Sequence, residues 1–354
     1  MITDPKDSSQ PGEPLNQPQN GNGNGHNGQT KQSGAAAKRA AYDPGMRSKY
    51  IWMDGEFVDF ERATVHFLTP TLHYGTGVFE GIRCYNTLKG PAVFRLGEHI
   101  ERFLDSAKIA GIRDIPYTAE DLCQAVHQTI RANGFMECYI RPLIYMVGPM
   151  GLNLDAWRPA VGIAVWEWSH YLGEEAEEAG VRMLVSSFTR HHPNVTMTKA
   201  KTVGSYANST LAKTLATRAG FDETVMLDPT GYVAECSGEN IFLVRDGVLY
   251  CPPRTAILEG ITRDAIMTLA RDLGYPVVEE PISRDQLYVA DEVFISGTAA
   301  EVVSVVDIDY RTIGSGSCGP VTAALRKAFS AAVSGDGKRS HEWLDYVDVT
   351  VMAV

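Results

Sequence analysis

At 354 residues, with 44% hydrophobic and 21% charged side chains, the chain has the composition of a globular protein with room for two cores. Its formal net charge of −11 argues against nucleic acid or an anionic membrane as the main partner. The six cysteines are scattered with no CxxC, so they read as reduced thiols and not as a disulfide framework or a zinc site, and no metal is expected. No apolar run approaches the roughly eighteen residues of a membrane span.

Residues 1 to 45 are rich in Gly, Asn, Gln, Ser and Pro and nearly free of large apolar side chains, which predicts a disordered tail. Its four acids and four bases cancel, leaving the negative charge to the folded part. The tail's GxGxxG (Gly23, Gly25, Gly28) has no strand before it and no helix after it, so it is not a dinucleotide site. With no apolar leader, and with Asp4, Asp7 and Glu13 against a transit peptide, the expected location is cytoplasmic.

Tyr50 to Phe60 predicts a hairpin turning at Asp54-Gly55. The glycines of TLHYGTGVFEGIRCY (71–85) suggest a tight turn between strands. Glu98 to Ala110 has Ile100, Phe103, Leu104 and Ala107 on one helical face, with Arg102 off it. A second helix is expected over 118–133, ending at Asn133-Gly134. Next comes a strand in YIRPLI that places Tyr139 and Arg141 on one face, an arrangement suited to a carboxylate. VGIAVWEW (161–168) reads as a buried strand and 169–180 as a connection. From Val181 the pattern is strand-rich, with turns at Pro229-Thr230-Gly231 and Asp246-Gly247.

Three later stretches bear on chemistry. In NVTMTKAKTVGSYANST (194–210), Lys201 sits among small or apolar neighbours that allow a flat ring to approach, and a lysine amine can form a Schiff base with a carbonyl compound. In LEGITRDAIMTLARDLGYP, Thr262 is expected to cap a helix that buries Ile266, Leu269, Ala270 and Leu273, and a helix N-terminus suits a phosphate. In VFISGTAAEV a strand runs into Gly297-Thr298-Ala299, where a tight turn would aim backbone N–H groups at an anion. The last forty or so residues predict one helix (320–333) and an irregular tail.

Taken together, YGTGVFEGIR, YIRPLI, the Lys201–Tyr206 pair, GENIF, GITRDA and SGTAAE resemble the fold-type IV pyridoxal-phosphate enzymes, and most closely the branched-chain amino acid aminotransferases, from about Tyr50 to Asp348. The resemblance implies an α/β (α+β) fold like that of D-amino acid aminotransferase. It implies a small domain over 46–165, an interdomain loop over 166–178 and a large cofactor-binding domain over 179–354.

It further implies transfer of the amino group between leucine, isoleucine or valine and 2-oxoglutarate through a Schiff base of pyridoxal 5′-phosphate on Lys201. Lys199 lacks the family's spacing to Tyr206 and Glu235. Tyr206 would bond the ring oxygen and Glu235 the ring nitrogen. Arg102, Ile261, Thr262 and Thr298 would hold the phosphate. Tyr139 with the N–H groups of Thr298 and Ala299 would take the α-carboxylate. Phe79, Gly81, Trp168 and Tyr171 would line the side-chain pocket, with Arg141 on the distal carboxylate of glutamate. Tyr74 and Leu152 would reach in from a second subunit of a homodimer or higher homo-oligomer. Ile257-Leu258-Glu259-Gly260 is more acidic than in some members, and Pro149 interrupts the loop that carries Leu152. Within the same fold, a D-amino acid aminotransferase or an aminodeoxychorismate lyase would share Lys201, Glu235 and the phosphate site.

Overall fold

The computed structural model describes residues 48–168, 172 and 179–348. The tail expected over 1–45 and most of the connection expected over 169–180 lie outside the described residues. The Asp54-Gly55 hairpin forms as expected between β1 (Tyr50–Met53) and β2 (Glu56–Asp59), with Tyr50 opposite Asp59. The stretch after it opens with a helix rather than a strand. Pro70 starts α1 (Pro70–Tyr74), and the chain then extends into β3 (Gly77–Phe79), β4 (Ile82–Thr87) and β5 (Gly90–Phe94).

Two amphipathic helices follow where the apolar spacing puts them. In α2 (Leu96–Ile109), Leu96, Ile100, Phe103 and Ala107 are buried. In α3 (Ala119–Asn133) the Thr118 side chain and the Asp121 carboxylate cap each other's amides, so the first turn's free N–H groups are met locally. Both helices pack on a sheet that also takes in β6 (Cys138–Val147), β7 (Arg158–Trp166) and, from the far end of the chain, β17 (Leu344–Tyr346). The sheet's order is β17–β5–β4–β6–β7–β1–β2, with β3 also on β6. Strand β7 stops two residues before its expected end at 168. Within the tail expected to be irregular, the described residues include β17, which pairs with β5, Leu344 opposite Phe94.

The second sheet is built from β8 (Val181–Val185), β9 (Glu223–Leu227), β10 (Val233–Cys236), β11 (Asn240–Arg245), β12 (Val248–Cys251), β13 (Val277–Glu279), β14 (Glu292–Gly297), β15 (Glu301–Ile308) and β16 (Arg311–Thr312). It runs β10–β9–β8–β15–β14–β11–β12–β13, with β16 on β15. Parallel pairs β8–β9, β8–β15 and β12–β13 mix with antiparallel ones, which gives the expected α/β (α+β) class. Its helices are α4 (Tyr206–Arg218), α5 (Ile261–Asp272), the short α6 (Arg284–Tyr288), α7 (Pro320–Ser334) and α8 (Ser340–Trp343). Helices α5 and α7 share an apolar cluster with Phe94 of the first sheet and Phe242 and Phe294 of the second.

Three details differ from expectation. Helix α4 was not expected: it buries only Ser209, Ala212 and Ala216, so no large apolar stripe announces it. The cap of α5 is Gly260; Thr262 lies inside the first turn, buried. Leu273, expected on the buried face of that helix, is exposed just beyond its end. Among the described residues no helix is long and apolar enough to cross a membrane.

Candidate active site

The lysine segment is fixed by the glycine-rich stretch of the first sheet. The Phe79 amide donates to the Lys201 carbonyl at 3.1 Å, the Val203 amide to Gly77 at 2.9 Å and the Gly204 amide to Gly75 at 3.0 Å. The Lys201 amide donates to the buried Ser106 hydroxyl of α2 at 3.0 Å. These bonds leave little freedom to the Lys201 backbone and aim its side chain at the start of α4. There Nζ donates to the Tyr206 hydroxyl at 2.7 Å, while the Phe79 ring packs edge-on to Tyr206 at 4.7 Å. Lys199 turns elsewhere: its Nζ bonds the Arg254 carbonyl and lies 3.0 Å from Glu259 Oε1.

Lys201 opens into a cavity whose free space, open solvent included, is about 730 Å³. Gly81, Arg102, Tyr139, Tyr206, Glu235, Ile261, Thr262, Thr298 and Ala299 line it together. The fold thus gathers these residues from distant parts of the chain.

Glu235, buried on β10, carries the wall's carboxylate. Oε1 lies 2.8 Å from Arg190 Nε, and Oε2 accepts from the Leu258 amide at 3.2 Å and from Asn240 Nδ2 at 3.3 Å. The Arg190 N–H is not aimed along its line to Glu235, so the contact is a charge pair without a hydrogen bond. Burial pushes the Glu235 carboxyl above the usual carboxylate range, with Arg190 and the Leu258 amide pulling back. A protonated ring nitrogen beside it would favour the ionised form.

Arg102, expected off the buried face of its helix, is largely enclosed. Its Nε and Nη2 donate to the fully buried Glu80 at 2.7 and 2.9 Å, and Nη1 donates to the Glu259 carbonyl at 2.8 Å. Hydrogens remain on both Nη atoms for an anion in the cavity. His99 Nδ1 lies 2.8 Å from the same carboxylate. Although burial alone would raise the Glu80 pKa, Arg102 and His99 hold it well below the usual range. Burial lowers the His99 pKa while Glu80 pulls it back up, and against an ionised carboxylate Nδ1 is the side that donates.

Beside these, Ile261 and Thr262 open α5 and offer first-turn amides that no helical carbonyl takes up. The turn 298–300 joins β14 to β15, closed by the Gly297–Glu301 pair and tied to β4 through Arg83–Glu301 at 3.0 Å. A guanidinium, first-turn amides, an amine and a carboxylate thus share one cavity, an arrangement suited to an anion and a donor set that fits a phosphorylated pyridine aldehyde.

Tyr139 and Arg141 share a face of β6 as expected, Arg141 Nη2 donating to the Tyr139 hydroxyl at 3.3 Å. The Arg141 guanidinium lies 4.8 Å from the Phe79 ring, and Trp168 packs 4.7 Å from Tyr139. Phe79, Arg141 and Trp168 thus flank the cavity through the rings that line it. At position 81 a Cβ would stand 2.0 Å from the Tyr139 hydroxyl, so any larger residue would displace that ring. Tyr74 and Leu152, expected to reach in from a second subunit, do not line their own chain's cavity. Tyr74 stacks on Trp157 at 5.8 Å, and Leu152 is 85% exposed. Tyr171 lies outside the described residues.

Sequence reasoning missed Glu80, His99, Ser106, Arg190, Asn240 and Glu239. Glu239 lines the cavity, and burial next to Glu223 raises its pKa to about 8, so near neutrality it is mostly protonated. The one available signal was Glu80 itself, a carboxylate inside the apolar stretch GVFEGI.

Comparison with known proteins agrees with this geometry. The family described as amino-transferase class IV matches residues 77–308. A branched-chain-amino-acid aminotransferase of Pseudomonas aeruginosa is 49% identical over 298 residues, 84% of this chain and 97% of that protein. The crystal structure of the Escherichia coli branched-chain amino acid aminotransferase superposes with a TM-score of 0.82 at 46% identity, covering 85% of this chain and all of that one. The branched-chain aminotransferase of the thermophilic archaeon Thermoproteus uzoniensis, solved with norvaline, gives a TM-score of 0.81 at 44% identity, covering 85% and 100%. A further branched-chain amino acid aminotransferase, solved with N-(5′-phosphopyridoxyl)-L-glutamate, gives 0.81 at 48% identity, covering 86% and 100%. By its sequence, its fold and the residues gathered at Lys201, the chain belongs to the class IV amino-transferases.

Proposed function

We propose that the chain is a branched-chain-amino-acid aminotransferase, which moves the amino group between leucine, isoleucine or valine and 2-oxoglutarate with pyridoxal 5′-phosphate as cofactor. The observation that carries the reading is the Lys201 amine 2.7 Å from Tyr206, in one cavity with a buried carboxylate and an anion cradle. Bound there, the cofactor supplies a reactive aldehyde and an electron-accepting ring.

The chain's own groups do the rest. Lys201 would hold the cofactor through its amine and would serve as the base that takes the proton from the substrate's Cα. Tyr206 would donate to the ring oxygen, and Glu235, backed by Arg190, would hold the proton on the ring nitrogen. Arg102, Thr262, Thr298 and the Ile261 amide anchor the phosphate. Tyr139 and the amides of Thr298 and Ala299 take the α-carboxylate. Phe79, Trp168 and Tyr206 would make an apolar wall over Gly81. The two sheets, each with an apolar cluster of its own, support a small domain over 46–165 and a large one over 179–354, except that β17 from the large domain's end joins the small domain's sheet.

The test is glutamate formation from L-leucine and 2-oxoglutarate. No glutamate from leucine, but turnover of D-alanine, would move the chain to a relative of the same fold. Arg141 sharpens the test. Set among rings beside Tyr139, it suits the distal carboxylate of glutamate. Arg141→Ala should raise KM for glutamate and 2-oxoglutarate roughly ten- to a hundredfold, the worth of one charge-assisted bond, and change leucine much less. Half-reactions measured with each amino acid alone decide it, and equal losses refute the role.

Tyr74 and Leu152 fit the reading only if a second copy receives them. Phe67, Leu72 and Leu152 are 78%, 61% and 85% exposed, large apolar side chains of the kind a homodimer interface would cover. Sedimentation velocity should return a dimer or larger. A monomer with full activity would remove both residues from the site.

A further inference from the structure

We propose that Lys199 is a positioning residue: it fastens the strap Arg254–Gly260 from outside the cavity and thereby sets how tightly the cofactor is held. The proposal rests on the cofactor reading above. The inner side of the strap touches three cavity residues, each time through backbone atoms. The Leu258 amide donates to Glu235 at 3.2 Å, the Leu258 carbonyl accepts from Asn240 at 3.2 Å, and the Glu259 carbonyl accepts from Arg102 Nη1 at 2.8 Å. The strap then delivers Gly260, the cap of α5, and with it the first-turn amides of Ile261 and Thr262.

Backbone atoms can hold those places only if the strap itself is pinned, and its outer side shows where. Lys199 Nζ donates to the Arg254 carbonyl, reaches the Ile257 carbonyl at 3.5 Å and pairs with Glu259 Oε1 at 3.0 Å. Arg254 Nη1 pairs with Glu259 Oε2 at 3.3 Å, and Arg254 Nε with Glu279 at 3.3 Å, which ties the strap to β13. One ammonium thus spans both ends of the strap, and it does so from two residues before the lysine that faces the cavity. An exposed ion pair alone is worth little, but an ammonium bonded to carbonyls and a carboxylate at once is a network that fixes a backbone. Gly260 shows how little play there is: its Cα side stands so close to Asn240 that a Cβ would lie 2.0 Å from Oδ1.

The experiment uses apoprotein titrated with pyridoxal 5′-phosphate, followed by absorbance, on wild type, Lys199→Ala, Lys199→Arg and Glu259→Gln. Lys199→Ala should raise the dissociation constant about tenfold, Glu259→Gln about threefold, and Lys199→Arg should recover most of the loss. Hydrogen exchange on the apoproteins supplies the second readout: the Leu258 amide should exchange faster in Lys199→Ala and return toward wild type in Lys199→Arg. Wild-type affinity and exchange in Lys199→Ala overturn the proposal, as does Lys199→Arg failing with Lys199→Ala. If the wild type itself takes up no cofactor, it is the functional reading that fails.

Discussion

Lys201→Ala is expected to abolish turnover by a factor of at least about 10⁴, since it removes both the amine that carries the cofactor and the base that moves the proton. No neighbour can stand in. Lys199 is the nearest amine in sequence, but its Nζ is committed to the Arg254 carbonyl and Glu259 on the far side of the strap. Tyr206, 2.7 Å from the lost Nζ, carries a hydroxyl and no amine. Borohydride reduction followed by peptide mapping makes the result specific: in wild type and in Lys199→Ala the cofactor should be fixed to residue 201, and in Lys201→Ala it should not be fixed at all. Fixation at Lys199 in the wild type would shift the site by two residues and sink the assignment. The two lysines are thus separated by different quantities, covalent attachment for Lys201 and affinity for Lys199.

The sequence was most legible where local rules act. Asp54-Gly55 makes its hairpin, Thr118 and Asp121 start α3, and the spacing of Ile100, Phe103 and Ala107 turns α2 toward the first sheet, because in each case the deciding atoms are a few residues apart. Element starts set by the tertiary structure were misplaced. Thr262 looks like a cap, yet the cap is Gly260, because Asn240 occupies the space a side chain would need there. In α4 the packing surface consists of Ser209, Ala212 and Ala216, residues small enough to leave no hydrophobic period.

Within the cavity, the residues that face its space could be named from motifs, while the charges behind them could not. Arg102 finds Glu80, and Glu235 finds Arg190, across 22 and 45 residues of chain. Such pairs exist because a buried charge needs a counter-charge, a demand that burial creates and that periodicity does not record. Tyr74 and Leu152 mark a third limit, since one chain does not bring them to its own cavity.

Glu235→Gln should lower turnover about a hundredfold, the usual loss of about 3 kcal/mol when one preorganised electrostatic partner leaves a buried site. The structure adds a second consequence. Glu235 is also the counter-charge of Arg190, whose side chain is 9% exposed, so the substitution strands a buried guanidinium. Removing one member of a buried pair costs about 3–5 kcal/mol, enough to lower the melting temperature by several degrees. The fall in rate could then be blamed on a damaged fold. Glu235→Gln combined with Arg190→Met separates the two effects, because the apolar side chain removes the stranded charge. Melting temperature should recover in the double variant while turnover stays low, since Met restores nothing at the ring nitrogen. Raising the pH tests the same point without mutation. Glu235 has its folded pKa raised by burial, so its protonated form is favoured on folding and the corresponding stability is lost as pH rises through that value. Cofactor binding should flatten this loss, because a positive ring nitrogen favours the ionised carboxylate. Recovery of both stability and turnover in the double variant, or wild-type turnover in Glu235→Gln alone, would leave Glu235 a partner of Arg190 and nothing more.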